Sequence, residues 1–278
     1  MKGKIICINK FIHRVLLENN TIIDTRTRGK LRNMKIVPVV GDNVIVDINT
    51  KTIEKVEPRT NYLERPLIAN IDKLLIVMST SIPAFSSYLI DKFLLIANAN
   101  KIEPIIVITK TDMITMKEKS DIKKYINYYR KLGIKVYINT SITKIKKEFA
   151  SSVVALCGQT GAGKSTLLNK IDASLSLKTG EVSESLGRGK HTTRLVELLE
   201  VNDGLIADTP GFSSLELNIP KKEIKKYYYD FNKPCKYRSC LHIKEEGCSI
   251  IEEVNKGKIP EWRYQNYLKF MEEVKEWK

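Results

Sequence analysis

The N-terminal quarter of the chain sets apolar and polar residues in short, turn-separated runs. Gly3–Ile8, Arg14–Leu17, Thr21–Asp24 and Asn43–Asp47 each read as a β-strand, and Asn-Asn, Arg-Gly and Gly-Asp pairs between them are turn signals. A small all-β domain is therefore expected over residues 1–66. The texture then changes. Between about Pro66 and Pro220, the apolar runs Lys73–Met78, Ile105–Ile108, Lys135–Ile138, Val153–Cys157 and Leu205–Ala207 alternate with helical patterns such as Tyr88–Asn98 and Asp121–Leu132. Such alternation predicts a mostly parallel α/β sheet, assigned to residues 67–220. A third region, 221–278, opens with Lys-Lys-Glu-Ile-Lys-Lys-Tyr-Tyr-Tyr, passes through a cysteine and histidine cluster, and ends in a charged helical stretch, Glu261–Lys278. No internal repeat or low-complexity tract interrupts the three.

Composition narrows the choice of partners. A chain of 278 residues with 42% apolar content can bury two or three small cores. Its net charge of +15 draws it to polyanions, either nucleic acid or an anionic membrane. The longest apolar runs, such as Leu74–Met78, are too short to span a bilayer, and Met1-Lys-Gly-Lys-Ile opens no signal peptide. The expectation is a cytosolic protein that works on RNA rather than membrane. Nothing suggests a coiled coil or a large exposed apolar face, and a monomer is expected.

Three motifs carry chemistry. Gly158-Gln159-Thr160-Gly161-Ala162-Gly163-Lys164-Ser165, between the strand Val153–Cys157 and the helical run Thr166–Ile171, fits a phosphate loop. Its glycines let backbone N–H groups curl around a β-phosphate, Lys164 bridges β- and γ-phosphates, and the Ser165 hydroxyl ligates Mg²⁺. The apolar run ending at Asp208, in Asp208-Thr-Pro-Gly211, provides an acid that holds Mg²⁺ through water and an N–H from Gly211 for the γ-phosphate. Upstream, Thr109-Lys110-Thr111-Asp112 is close to the Asn-Lys-x-Asp signature of guanine readers. Asp112 would accept from guanine N1–H and the exocyclic amine, a pair adenine cannot supply, with the Lys110 stem over the base. Thr109 stands where the signature has Asn, so a bond toward N7 or the phosphate loop is either lost or remade by its hydroxyl. The order is itself informative: the base reader and a second base-side loop, Asn139-Thr140-Ser141, precede the phosphate loop, the reverse of an unpermuted GTPase. The fold is circularly permuted, which leaves the switch ending at Asp208–Gly211 about ten residues from the C-terminal region.

The cysteines divide in two. Cys7 and Cys157 lie in apolar runs and read as small buried hydrophobes. Cys235-x₄-Cys240-x-His242-x₅-Cys248 is the ligand set of a closed, structural Zn²⁺ site, although the spacing is not the common Cys-x₂-Cys pair and a loose group of surface thiols is the alternative. For RNA, Arg26-Thr-Arg28-Gly-Lys30-Leu-Arg32, placed in a strand-to-strand loop, and Lys221–Tyr229 offer cations and tyrosines that could track phosphates and stack on bases; a solvated basic loop is the alternative.

With these motifs the chain resembles the circularly permuted, ribosome small subunit-dependent GTPase A family (RsgA, also called YjeQ or YloQ). The resemblance spans nearly the whole chain. It rests on Val40-Gly-Asp42, Arg65-Pro66 with Asn70-Ile-Asp72, Thr109–Asp112, Gly158–Thr166, Thr179-Gly-Glu-Val-Ser183, Gly187-Arg-Gly-Lys-His191-Thr-Thr193, Asp208-Thr-Pro-Gly-Phe212 and the Cys/His cluster. It implies an N-terminal OB-fold barrel, a central GTPase domain and a C-terminal zinc-binding helical domain. It also implies GTP hydrolysis stimulated by the small ribosomal subunit during late maturation. Gly187–Arg194 then becomes the switch that closes on the nucleotide, with Thr193, or alternatively Thr192, as second Mg²⁺ hydroxyl. Phe212 follows Gly211 where Ras-like enzymes carry a water-orienting Gln, and His191 is the candidate to position that water, unless it only orders the loop or touches RNA. A reading from another class is an RNA-binding module stabilised by nucleotide, with incidental turnover; an ATPase is resisted by Asp112.

Overall fold

The computed structural model describes residues 1–27, 37–175, 196–208 and 216–274. Strands β1 (Lys2–Asn9), β2 (Ile12–Leu17), β3 (Ile22–Thr27), β4 (Asn43–Asp47) and β5 (Thr52–Val56) run in the order β1-β2-β3-β5-β4, and pairing of β1 with β4 closes them into a barrel. Period-two alternation turns Ile5, Val15, Leu17, Val44, Val46 and Ile53 inward as a separate small core. Register slips between Ile5 and Cys7, and a bulge of this kind bends a strand, so β1 serves β4 with its first residues and another sheet with its last. The sequence places Arg26 in a loop, but Arg26 and Thr27 belong to β3, in parallel register with Thr52 and Ile53. The ladder forms because their neighbour in space is β5, a strand the apolar pattern does not announce. Arg28, Lys30 and Arg32 lie outside the described residues.

A hairpin, β6 (Tyr62–Glu64) and β7 (Leu67–Ala69), leads out of the barrel. Gly41 approaches it so closely that a Cβ would stand 2.0 Å from the Ala69 carbonyl oxygen, and its positive φ of 89° further favours glycine. Buried Asp42 accepts from Arg59 Nε at 2.7 Å and from the Val39 amide at 2.8 Å. Asn70 donates to the Gly41 carbonyl at 3.0 Å, and Asp72 accepts from the Val153 amide at 2.7 Å. These short motifs thus act as joints between barrel and sheet.

The second unit is a sheet of β8 (Lys73–Ser79), β9 (Glu103–Thr109), β10 (Lys135–Ile138), β11 (Val153–Cys157), β12 (Glu197–Val201) and β13 (Gly204–Asp208). Neighbours run β10-β9-β8-β11-β13-β12, parallel except for the β12–β13 hairpin. Leu74, Ile76, Ile106, Ile108 and Ala155 face helices α1 (Ser87–Ala99) and α2 (Met116–Lys131). Leu75, Val77, Ile105, Val107, Val154 and Leu156 face α3 (Ile142–Lys147) and α4 (Lys164–Ile171). Strands covered on both faces bury every position, which is why these runs are apolar without alternation. Strand β12 pairs antiparallel with β1 at Cys7 and Glu197, so barrel and sheet form one continuous β-structure of eleven strands.

The C-terminal region holds α5 (Ile224–Tyr227), α6 (Ser249–Asn255) and α7 (Glu261–Glu273) around a core that also takes in Leu95 of α1. The helical pattern is expected to reach Lys278; α7 ends at Glu273, and 275–278 are outside the described residues. Between α1 and α7 lies a buried ionic network. Asp91 accepts from Tyr129, Tyr228 and Asn266, each at 2.8 Å, and from Arg263. Arg263 also donates to Asp230 at 3.0 Å and lies over the Tyr228 ring at 3.9 Å from its centroid. Removing one partner of such a pair strands a buried charge. Asp91→Ala should cost about 3–5 kcal/mol in denaturant unfolding, whereas Asp91→Leu combined with Arg263→Met should recover most of the loss; an unchanged unfolding midpoint in Asp91→Ala would show that the network holds nothing together.

Candidate nucleotide site and metal centre

The five parallel strands β8, β9, β10, β11 and β13 end at one edge, and the order in which the chain fills the sheet reverses between β8 and β11. Ligands of open α/β sheets bind at such a switch point, outside the carboxyl ends of the strands. The phosphate-loop sequence begins there, straight after β11. Gly158, Gly161 and Gly163 have φ of 130°, 80° and 90°, which side-chain-bearing residues rarely adopt. A Cβ on Gly158 would stand 2.1 Å from the Val77 carbonyl oxygen, so the loop can lie against β8 only as glycine. Helix α4 then starts at Lys164 with no side-chain cap and no acidic residue in its first turn. Its leading N–H groups are open to an anion. Lys164, buried to 9% exposure, donates to the carbonyls of Gly158 and Gln159 at 2.8 Å each. Burial holds its ammonium below the usual lysine range. A cation enclosed with main-chain carbonyls fits a phosphate. Ser165 is buried beside it, while Thr160 and Thr166 are exposed.

The base-reading turn follows β9. Thr109, 3% exposed, donates its hydroxyl to the Ala162 carbonyl of the phosphate loop at 2.6 Å. The Thr109 hydroxyl thus makes a bond toward the phosphate loop. Lys110 takes a left-handed φ of 57°, and its carbonyl accepts from the Met113 amide at 3.1 Å, closing a turn that has Thr111 and Asp112 at its centre. The Lys110 ammonium donates to the Ile82 carbonyl. After β10, Asn139 donates its amide to the Ile108 carbonyl at 2.9 Å, which brings the second base-side loop to the same edge. Among the described residues, four buried side-chain polar atoms lack a partner. Two of them, Gln159 Oε1 and Asn139 Oδ1, belong to these loops, and a third, His242 Nε2, to the cysteine cluster. Strand β13 brings the backbone of Asp208 to the same edge, in parallel register with β11. The Asp208 side chain, His191, Thr192, Thr193 and Gly211 lie outside the described residues.

In the C-terminal region, Cys235, Cys240, His242 and Cys248 put their ligand atoms within 4.8 Å of one another. His242 Nδ1 lies 3.4, 3.5 and 3.3 Å from the three sulfurs, in that residue order. Burial raises the Cys240 thiol to about 12 and also raises Cys248. Three sulfurs this close cannot ionise together without a cation among them, and the set can hold one metal ion. The loop around them is fixed from outside: Tyr264 donates to the carbonyl of His242 at 2.9 Å and Tyr267 to that of Leu241 at 2.7 Å. Glu245 accepts from the amides of Leu241, Ile243 and Lys244 at 2.6, 2.8 and 3.0 Å.

A phosphate loop at the switch point of a permuted sheet, tied to a guanine-type turn and joined to a barrel, defines a circularly permuted GTPase. The RsgA GTPase family model matches residues 56–218, and the RsgA N-terminal domain model matches 2–53. A protein named small ribosomal subunit biogenesis GTPase RsgA from Geobacillus sp. (strain WCH70) is 43% identical over 287 residues, covering 99% of this chain and 98% of that protein. One of the same name from Bacillus subtilis (strain 168) is 42% identical over 291 residues, with 99% and 98% covered. The solved structure of YloQ, described as a circularly permuted GTPase, superposes with a TM-score of 0.83 at 36% identity, covering 98% of this chain and 94% of that one. YjeQ from Thermotoga maritima superposes with a TM-score of 0.85 at 31% identity, with 98% and 97% covered. The chain belongs to the RsgA family of GTPases.

Sequence reasoning missed Thr80 and Ile82, which hold the base-reading turn from the loop after β8 and carry no motif. If the Thr109 hydroxyl ties base turn to phosphate loop, Thr109→Val should weaken GDP about fivefold in equilibrium titration and Thr109→Ser should not. Equal affinities for all three proteins would remove the tie from the account.

Proposed function

We propose that this GTPase acts in late maturation of the small ribosomal subunit, binding its rRNA and hydrolysing GTP to GDP and phosphate when docked there. The Thr109 hydroxyl on the Ala162 carbonyl carries the nucleotide half of this reading, because it locks the base turn to the phosphate loop as one site. The names of the relatives and the net charge of +15 support the RNA half. Arg26 on β3 and the Lys221–Tyr229 segment are the described cationic contacts assigned to RNA. Among the described residues, no helix is long and apolar enough to cross a membrane. The protein is assigned to the cytoplasm as a monomer.

Within the site, Gly158 to Thr166 cradle the phosphates and Lys164 neutralises them. Asp112 reads guanine, with Thr109, Lys110 and Thr111 shaping its turn. Magnesium, which neutralises charge developing between the β- and γ-phosphates when bound with GTP, is assigned to Ser165, Thr193 and Asp208, directly or through water. Gly211 offers its amide to the γ-phosphate, and His191 positions the attacking water in place of the Gln that Phe212 replaces. Cys235, Cys240, His242 and Cys248 are assigned to one structural Zn²⁺; three thiolates and one imidazole would supply the four ligands that such a site takes.

Small subunits added to the protein with GTP and Mg²⁺ should raise hydrolysis by orders of magnitude, while large subunits should not, and ATP should not be turned over. His191→Ala should lower that stimulated rate about a hundredfold or more and leave GDP affinity unchanged. Equal slow turnover in every mixture would discard the ribosomal partner, and an unchanged rate in the variant would discard His191. Protein purified without chelator should contain one zinc per chain, and Cys240→Ser should lose it.

A further inference from the structure

The loop between β8 and α1 belongs to none of the nucleotide motifs, yet it grips the base-reading turn at two points. Thr80, 7% exposed, follows the last residue of β8. Its amide donates to the Thr109 carbonyl at 3.1 Å; its hydroxyl lies 2.7 Å from the Lys110 carbonyl and 3.1 Å from that of Thr109. The nearer carbonyl also accepts from the Met113 amide and so closes the turn containing Asp112. Two residues on, the Ile82 carbonyl accepts from the ammonium of the same lysine. Lys110 is therefore held at its backbone and at its side-chain end by one short segment, in a left-handed conformation that a lysine would otherwise leave.

We infer that Thr80 is a positioning residue for guanine recognition: its hydroxyl fixes the Lys110 carbonyl and thereby the place of the Asp112 carboxylate. The inference rests on Asp112 as the guanine reader. A carboxylate held in one place accepts from both guanine N1–H and the exocyclic amine, whereas hypoxanthine offers only the first. A carboxylate on a loosened turn makes the second bond less well. Loss of the Thr80 hydroxyl thus acts on the choice between the two bases, beyond any effect on the amount of folded protein. No exposed surface of Thr80 is required for this.

The test is equilibrium titration of the full chain with GDP and with IDP, which present the base without a γ-phosphate. The ratio of the two dissociation constants is independent of the fraction of protein that is active. Thr80→Val keeps the shape and removes the donor; it should shrink the preference for GDP about fivefold. Thr80→Ser restores the donor and should restore the preference. Asp112→Asn should abolish it. If Asp112→Asn abolishes the preference while Thr80→Val keeps it, or Thr80→Ser loses as much as Thr80→Val, the role of Thr80 is refuted and the base reader stands. If Asp112→Asn keeps the preference, the base assignment itself fails and the inference falls with it.

Discussion

Strand β8 is the constraint on which the nucleotide site depends. The phosphate loop meets its backbone at Val77, so closely that Gly158 admits no side chain. The Thr109 hydroxyl lies 3.3 Å from the Met78 carbonyl and 2.6 Å from that of Ala162, and Thr80 reaches the base turn one residue past the strand. The phosphate loop and the base turn are thus both registered against one extended segment whose own side chains are buried on both faces. One of these contacts is backbone against backbone and the others are buried threonine hydroxyls on main-chain carbonyls, so phosphate and base pockets keep a fixed separation as long as the sheet and those hydroxyls are in place.

The same strand leads, through the Thr80–Phe85 loop, into α1, and α1 carries Asp91 into the buried network with Arg263. The GTPase core therefore meets the C-terminal domain in a rigid, desolvated contact on its helical face. Barrel and sheet are joined separately, by the hydrogen bonds around Asp42, Asn70 and Asp72 and by the pairing of β1 with β12. A nucleotide-dependent movement of the C-terminal domain must work against the Arg263 network, since breaking it would strand two buried charges.

Much of this was legible in the sequence because the relevant residues are contiguous. The phosphate loop has its glycines within one short segment, and the three cysteines and the histidine that come together also lie in one short segment, so both clusters can be read directly. The parallel strands announce themselves as unbroken apolar runs because both faces are covered. Contacts between distant segments are different. Asp91 sits in an apolar helix and Arg263 in a charged one, and neither has a local pattern that names the other, 172 positions away. Strand β5, with buried Ile53 among polar neighbours, is too weakly apolar to call, and β12 joins the barrel through a pairing with β1 that no local rule predicts. Thr80 looks like any polar residue at a strand end. Its meaning lies in the carbonyl it meets.

If the junction on β8 holds phosphate loop and base turn as a single site, the protein must choose guanine over adenine when the phosphates are the same. Titration of the full chain with GDP and with ADP under the same conditions tests it most directly, because both carry the same phosphates and only the base differs. GDP should bind at least about a hundredfold more tightly, since adenine would leave the Asp112 carboxylate unpaired. Equal affinities would mean that the phosphate loop binds alone and that the turn after β9 does not read the base.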